Sequence, residues 1–497
     1  MLDSLLVAAG ALAQPQNIAL IVLGSTMGLL FGLLPGLTSL AAMAILLPFT
    51  IGLPPISAMY LFIGIMGSAP FGGAVTSILF NIPGEPTSAA ACFDGYPMTR
   101  RGQAAKALGL AAASALFGAV FGLVVLIALI PMVRAVVFAF GPPEFFMLVM
   151  FGLATVAVAA PGNTLKGLVT AGLGVLLSVV GYDPITGVLR FGLGSTNYLW
   201  DGINLPAFFV GVFAVGEVIG YYVVGGTIAQ AGATMRGALK GTWEGVREMF
   251  RHPRVLIQGS VVGSIVGVLP GVGGTVSNFL SYTLAMQTSK HPETFGKGNP
   301  EGVVAAMTAT NEDTGALLPT VAFGIPGSAA TALLLGALTL HGYNPGPLFV
   351  KEHMDIVWAL ILGLLVANIV AIVVGLAGAN LLARLTTLDV KYLVPSILAI
   401  SLLGAYADRE NLWDVALAIA AGLLAYGLTR FGFPIITLVI GFVMGRLAER
   451  AFAQSLQMEL DPLIFFKRPV SAALFALIVL LFAVPLARKL FVRWKAA

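Results

Sequence analysis

Two stretches of this chain set helix breakers inside apolar sequence, and the second repeats the first. Residues 70–90 read PFGGAVTSILFNIPGEPTSAA, with Pro70, Gly72, Gly73, Pro83, Gly84 and Pro86 standing among Thr76, Ser77, Asn81, Glu85, Thr87 and Ser88. Irregular backbone at membrane depth is tolerated only where protein buries it or where it lines a wet cavity. The stretch therefore reads as two half-helices meeting at a polar tip. Residues 313–327, DTGALLPTVAFGIPG, lie without gaps on 70–84 and match at Gly72/Gly315, Phe80/Phe323, Ile82/Ile325, Pro83/Pro326 and Gly84/Gly327. An upstream pair, GLLPGLTS at 32–39 and GVLPGVGG at 267–274, keeps the order LPG then IPG in both halves. Each IPG is followed by a Tyr-Pro or Tyr-Asn-Pro turn, at Tyr96-Pro97 and Tyr343-Asn344-Pro345. Broken segments in corresponding places of two halves are the sequence mark of a transporter binding site.

Composition sets the solvent. Of 497 residues, 58% are hydrophobic and 10% charged, against roughly 25% charged in soluble domains. The expected fold is an all-α polytopic membrane protein. No polar stretch is long enough to bury a core of its own. The net charge of +4 lies in loops, so it bears on topology and gives no nucleic-acid surface. Cys92 is the only cysteine, which excludes an internal disulfide and a thiolate metal cluster, and the four histidines show no ligand spacing. No metal or cofactor is expected.

Apolar runs are expected at 18–34, 38–53 and 56–69, then at 107–130, 145–160, 168–181 and 206–224. The second half runs 255–269, 275–286, 303–309, 356–382, 392–406, 412–428, 435–444 and 472–486. The halves divide as 1–230 and 231–497. Basic residues cluster at Arg100, Arg101 and Lys106, again at Arg236, Lys240, Arg247, Arg251 and Arg254, and in a tail with Arg488, Lys489, Arg493 and Lys495. The positive-inside rule puts these loops and the C-terminus in the cytoplasm. The leader holds Asp3 and no Lys or Arg, so the N-terminus is expected in the periplasm, as a short interfacial or capping helix despite the cleavage-like Ala11-Leu12-Ala13. One repeat then begins outside and the other inside. Such inverted repeats serve alternating access.

A half-helix that starts inside the membrane points unpaired N–H groups and its positive dipole end at the break. That suits an anion without any Lys or Arg, and basic residues are nearly absent here. Candidate substrate contacts in the first half are Pro35, Gly36, Thr38 and Ser39 at LPG, and Asn81, Pro83, Gly84, Thr87 and Ser88 around IPG. In the second half they are Pro270, Gly271, Gly273, Gly274, Thr275, Ser277 and Asn278, then Pro326, Gly327 and Ser328. Acids inside a membrane are costly and point to function. Glu85, Asn311, Glu312, Asp313 and Thr314 are candidates to hold a coupling Na⁺ or H⁺. Glu144 and Glu217 border or enter apolar runs and are read as structural acids.

An enzyme is not expected. GYDP at 181–184 followed by GLGS at 192–195 offers one aspartate where an intramembrane aspartyl protease needs two, and no metalloprotease, phosphate-loop or nucleophile-elbow motif is present. The residues leave three classes open: a permease, a channel for small anions with two re-entrant loops, and a membrane scaffold subunit.

GLLPGLTSLAAMAILLPFT, FGGAVTSILFNIPGEPTSAAACFDGYPM, GVLPGVGGTVSNFLSY, NEDTGALLPTVAFGIPGSAATALLLGAL and HGYNPGP, in this order, resemble the large membrane subunit of tripartite tricarboxylate transporters, the TctA family. The resemblance implies a secondary transporter of the bacterial inner membrane, in contact with lipid and without an ATPase. It implies a small membrane subunit and a periplasmic substrate-binding protein as partners. The substrate would be a di- or tricarboxylate, driven by a Na⁺ or H⁺ gradient, with elevator-like motion of the domain that carries the hairpin tips.

Overall fold

The computed structural model describes residues 2–34, 37–137, 140–159, 164–183, 187–192, 198–224, 238–270, 273–346, 348–385, 390–459 and 461–496. The first broken unit comprises α1 (Leu2–Leu12), α2 (Pro15–Leu33), α3 (Ser39–Leu46), α4 (Pro55–Phe80) and α5 (Ala91–Arg100). Next come α6 (Ala104–Val137), α7 (Pro142–Ala159), α8 (Thr164–Ser178), α9 (Leu205–Phe209) and α10 (Gly216–Val224), the last two joined by a π-helical segment at Val210–Val215. α11 (Ala238–Met249) leads into the second unit, α12 (Pro253–Val268), α13 (Gly273–Thr288), α14 (Pro300–Thr308), α15 (Glu312–Phe323) and α16 (Ala329–Leu340). The chain continues through α17 (Phe349–Glu352), α18 (Met354–Leu385), α19 (Val390–Ala407) and α20 (Leu412–Arg430) to α21 (Ile435–Met458), α22 (Ile464–Lys467) and α23 (Pro469–Ala496). A two-residue antiparallel ladder, Gly181–Tyr182 with Leu189–Arg190, is the one sheet among the described residues.

Among the described residues, five helices are long and apolar enough to cross a membrane: Pro15–Leu33, Pro55–Phe80, Ala104–Met132, Met354–Gly378 and Leu412–Arg430. With the shorter apolar helices around them they make a multi-pass membrane protein. α4 is its central rod, buried throughout that window. Tyr60 near its start is fully buried and donates its hydroxyl to the Ala8 carbonyl of α1 at 3.0 Å.

The first break lies later than the sequence places it. α4 runs unbroken through Pro70, Gly72 and Gly73 to Phe80. Pro70 has no N–H for the Met66 carbonyl, which costs one bond of the ladder. The glycines make room for neighbours: a Cβ on Gly72 would lie 2.5 Å from the Leu29 carbonyl oxygen of α2, and one on Gly73 2.5 Å from the Glu85 nitrogen. The helix stops at Asn81, whose left-handed backbone (φ 60°, ψ 29°) closes its last turn.

The duplicated motifs recur as duplicated contacts. α15 also stops on a left-handed residue, Gly324 (φ 66°, ψ 21°), at the position Asn81 holds in the first copy. A side chain on Gly84 would strike the Gly32 carbonyl, and one on Gly327 the Gly267 carbonyl. Carried upstream, the LPG alignment pairs Gly24 and Gly28 with Gly259 and Gly263. Gly24, Gly28 and Gly32 let α2 lie on the α4 backbone at Leu61, Ile65 and Ala69, while on α12 Gly259 receives the Thr308 side chain, Gly263 the Asn311 side chain and the Ala309 carbonyl, and Gly267 the Glu312 carbonyl. Small residues at such spacing allow helix backbones to touch in lipid.

The two hairpins belong to opposite ends of α6. α5 ends at Arg100, just before α6 begins. Phe323, the last residue of α15, packs on Phe140 beyond the other end of α6, with ring centroids 5.4 Å apart. Both basic loops meet at the first of these ends. The second, read from sequence as a loop, contains the amphipathic helix α11, whose Glu248 pairs with Lys106 at 3.1 Å. Burial opposes charge on Glu248, but Lys106, Arg251 and His252 outweigh it and hold the carboxyl below its ordinary value. At the far end Glu144 accepts the Gly141 N–H at 2.9 Å and pairs with Arg468, which anchors the start of α23. Glu144 is thus the structural acid expected of it.

Candidate functional site

One cavity lies where the two halves meet. Its volume is ≈ 120 Å³, and its wall takes Thr38 and Ser39 from the first LPG element, Glu85 and Thr87 from the first IPG loop, Gly273, Gly274 and Thr275 from the second LPG element, and Glu312, Asp313 and Ser328 from the second IPG element. These ten sequence-derived candidates are brought together. The helices behind them explain why. α3, α13 and α16 all begin at the cavity, as does the short 3₁₀ turn Pro86–Ser88 that leads into α5. Each beginning follows a Gly/Pro break, which leaves its first N–H groups without helical partners.

Those ends are already met by side chains. The Ser39 N–H donates to Glu85 Oε2 at 3.2 Å and its hydroxyl to Oε1 at 2.9 Å. Beside it, the Thr38 N–H and hydroxyl donate to Glu217 at 3.4 and 3.0 Å. The start of α13 is closed likewise, the Gly274 N–H donating to Glu312. Ser39 and Gly274 are equivalent in the LPG alignment, so each copy sets a carboxylate on the same helix end. α16 closes itself with a capping box: Ser328 accepts the Thr331 N–H, and the Thr331 hydroxyl accepts the Ser328 N–H at 2.9 Å. Ser328 stands where Glu85 stands in the first copy. No Lys, Arg or His is among the described lining residues. Two polar atoms here are buried without a partner, Thr87 Oγ1 and Glu312 Oε2. The cavity thus sets the N-terminal ends of helices beside several acids and no basic side chain among the described residues.

The remaining candidates serve the packing around the cavity or a neighbouring chamber. The Ser88 hydroxyl donates to the Glu85 carbonyl at 2.8 Å and closes the turn. Ser277 bonds the Ala309 carbonyl at 3.0 Å. Asn278 ties the halves, accepting the Ala90 N–H at 2.7 Å and donating to the Ala306 carbonyl at 2.6 Å. Asn81 and Pro83 are exposed at the foot of α4, Pro270 and Pro326 are buried in the breaks, and Gly84 and Gly327 are the contact glycines described above. Asn311 and Thr314 line a smaller chamber beside the cavity. Pro35, Gly36 and Gly271 lie outside the described residues.

Glu217 escaped the sequence reading. Read from sequence as a structural acid, it holds the N-terminus of α3 through Thr38. It lies two residues past the π segment Val210–Val215, and such π segments concentrate at functional sites. An acid midway along an apolar run was the available signal. Glu217 also borders a second opening of ≈ 460 Å³ together with Tyr426, Thr429 and Arg430.

The model of the tripartite tricarboxylate transporter TctA family matches residues 18–440, which include every element of the cavity. The "Uncharacterized 52.8 kDa protein in TAR-I ttuC' 3'region" of Agrobacterium vitis is 33% identical over 464 residues, 93% of this chain and 91% of its own length. The "Uncharacterized protein in TAR-II ttuC' 3'region" of the same organism is 32% identical over 221 residues, 44% of this chain and 90% of its own length. No solved structure matches the chain. The chain belongs to the tripartite tricarboxylate transporter TctA family and is a membrane component of such a transporter.

Proposed function

We infer that this chain is the large permease subunit of its transporter and carries a di- or tricarboxylate into a bacterial cell across the inner membrane, coupled to a Na⁺ or H⁺ gradient. The observation that carries this reading is the cavity itself. Helix N-termini from both halves converge on it, and these hold carboxylates without a basic side chain. Glu85 and Glu312 occupy the sites an anionic substrate would use. A cation or proton that neutralises them frees those sites, so cation and anion bind together, as symport requires. A periplasmic binding protein would deliver the substrate, and a small membrane subunit would complete the assembly.

The repeats are read as inverted, with the first hairpin opening to the cytoplasm and the second to the periplasm. Their attachment to opposite ends of α6 and the meeting of both basic loops at one end favour this orientation. It puts the N-terminus in the periplasm and the C-terminus in the cytoplasm. Elevator-like movement of the hairpins would expose the cavity to each side in turn.

Radiolabelled carboxylate uptake into proteoliposomes tests the reading. The chain is reconstituted with its small subunit, supplied with loaded binding proteins, and given Na⁺ and H⁺ gradients separately. Uptake that needs a binding protein and one gradient supports it; flux indifferent to both speaks for a channel, and no uptake with any partner for a scaffold.

A further inference from the structure

The rod that ends in α10 touches α20 at one end and parts from it at the other. A Cβ on Gly211 of the π segment would lie 2.4 Å from the Ala418 carbonyl oxygen, and one on Gly216 3.1 Å from the Ala425 Cβ. One turn further, a Cβ on Gly220 would meet nothing within 4 Å. The opening of ≈ 460 Å³ that Glu217 borders is the wedge left between the two helices. Its wall follows the rod from Val212 to Val223, about 16 Å at the rise of a helix. Val212, Gly216 and Ala425 at its base are buried, while Val223, Thr429 and Arg430 at its mouth are exposed.

The wedge is apolar within and basic at the mouth. Val212, Val223, Ala425 and Ile435 line it with the two glycines of α10. Glu217 is the one acid among its described lining residues, and both its oxygens are taken by Thr38. Arg430 donates to the Tyr426 hydroxyl at 3.3 Å and meets no carboxylate among the described residues. Lys166 of α8 adds a second positive charge next to it, donating to the Phe431 carbonyl and lying 4.9 Å from the centre of the Phe433 ring. α20 is mostly exposed along its length, so the wedge opens toward lipid. An apolar slot there takes an acyl chain, and basic residues between helices at the cytoplasmic end attract an anionic headgroup.

We propose that the wedge is a binding site for one anionic phospholipid, with an acyl chain between α10 and α20 and the phosphate at Arg430 and Lys166. In the orientation given above, the headgroup lies in the cytoplasmic leaflet. The site goes beyond the permease reading and does not depend on it. The acyl chain packs beside Glu217 and keeps water from the bonds that hold the start of α3.

The test is lipid binding to the purified, delipidated full-length chain in detergent, read by native mass spectrometry and by melting temperature. The probes are phosphatidylglycerol, phosphatidylcholine, inorganic phosphate and citrate. One phosphatidylglycerol per chain is expected to bind saturably and to raise the melting temperature, about 10-fold more tightly than phosphatidylcholine. Inorganic phosphate alone should do neither. Arg430→Gln should weaken phosphatidylglycerol about 5-fold and leave phosphatidylcholine unchanged. Gly220→Leu, which fills the wedge, should weaken both lipids. Lys297→Gln, in the link between α13 and α14, should change nothing. Phosphatidylglycerol bound no more tightly than phosphatidylcholine overturns the site, as does binding to folded protein that is indifferent to both Arg430→Gln and Gly220→Leu. Displacement of the lipid by citrate would also overturn it and make the wedge a carboxylate passage.

Discussion

Ser39 donates two hydrogen bonds to Glu85, from its N–H at 3.2 Å and from its hydroxyl at 2.9 Å, so a carboxylate from the first hairpin closes the helix that follows the first LPG element. Hydrogen bonds to a charged group are worth roughly 1.5–3 kcal/mol. Glu85→Gln preserves the shape and removes the charge. It should lower coupled uptake at least about 10-fold and flatten its dependence on the cation gradient, while leaving the purified chain folded. Uptake kinetics measured against each gradient check this, and an unaltered gradient dependence would remove Glu85 from the coupling.

Thr87 and Ser328 separate contact from capping. Thr87 Oγ1 has no partner, so Thr87→Ala should change thermal stability by less than about 0.5 kcal/mol and still weaken uptake. Ser328→Ala removes a capping box and should cost roughly 1 kcal/mol of stability as well. Melting curves beside uptake constants distinguish the two. Loss of neither in both variants would place the substrate elsewhere.

Glu217 should behave as a member of the site. Its two bonds to Thr38 make it a second carboxylate on the same helix end as Glu85. Glu217→Gln is expected to reduce uptake with assembly intact, and combined with Glu85→Gln to lose less than the product of the separate effects, because both act on the start of α3. Strictly multiplicative losses would show them to be independent.

The contact glycines should be intolerant in pairs. Gly84→Ala would press on the Gly32 carbonyl and Gly327→Ala on the Gly267 carbonyl, each at about 1–3 kcal/mol for overpacking. Gly52, with nothing within 4 Å of a built Cβ, is the control. Melting temperatures of the three variants check it.

At the end of α6, the dependence on pH has a definite sign. Glu248 is held below the ordinary carboxyl value of 4.5 by Lys106 and its other basic neighbours once burial is overcome. The stabilisation is complete above the ordinary value and disappears as pH falls through the lower, folded value. Hydrogen exchange of α11 should therefore be slow at neutral pH and quicken only well into the acid range. In Glu248→Gln it should be faster at neutral pH and insensitive to acid.

Much of this was legible in the sequence because lipid punishes irregular backbone. The four Gly/Pro breaks had to gather, and Thr38, Ser39, Glu85, Thr87, Gly273, Gly274, Thr275, Glu312, Asp313 and Ser328 do line one space. Single residues were harder. Pro70 passes within a helix because losing one ladder bond is bearable in a rod packed on every side. Ser277 and Asn278 have the chemistry of ligands but spend it on the Ala309, Ala306 and Ala90 backbones. Glu217 lies far along the chain from any break and meets Thr38 of the cavity wall only through the packing of the rod that contains the π segment. The glycine rows at 24, 28, 32 and 259, 263, 267 were visible as spacing, but which backbone they receive is a matter of tertiary contact.

The most direct test of the central claim is accessibility of the cavity itself. Cys92, the one thiol in the sequence, is buried; Cys92→Ser removes it and Thr275→Cys sets a thiol on the cavity wall. The reconstituted transporter is then treated with a membrane-impermeant thiol reagent from one side, with and without carboxylate and coupling cation. The expected result is labelling that stops uptake and is prevented only when substrate and cation are present together. Complete labelling that leaves uptake intact, or protection by neither ligand, would contradict the assignment of this cavity as the transport site.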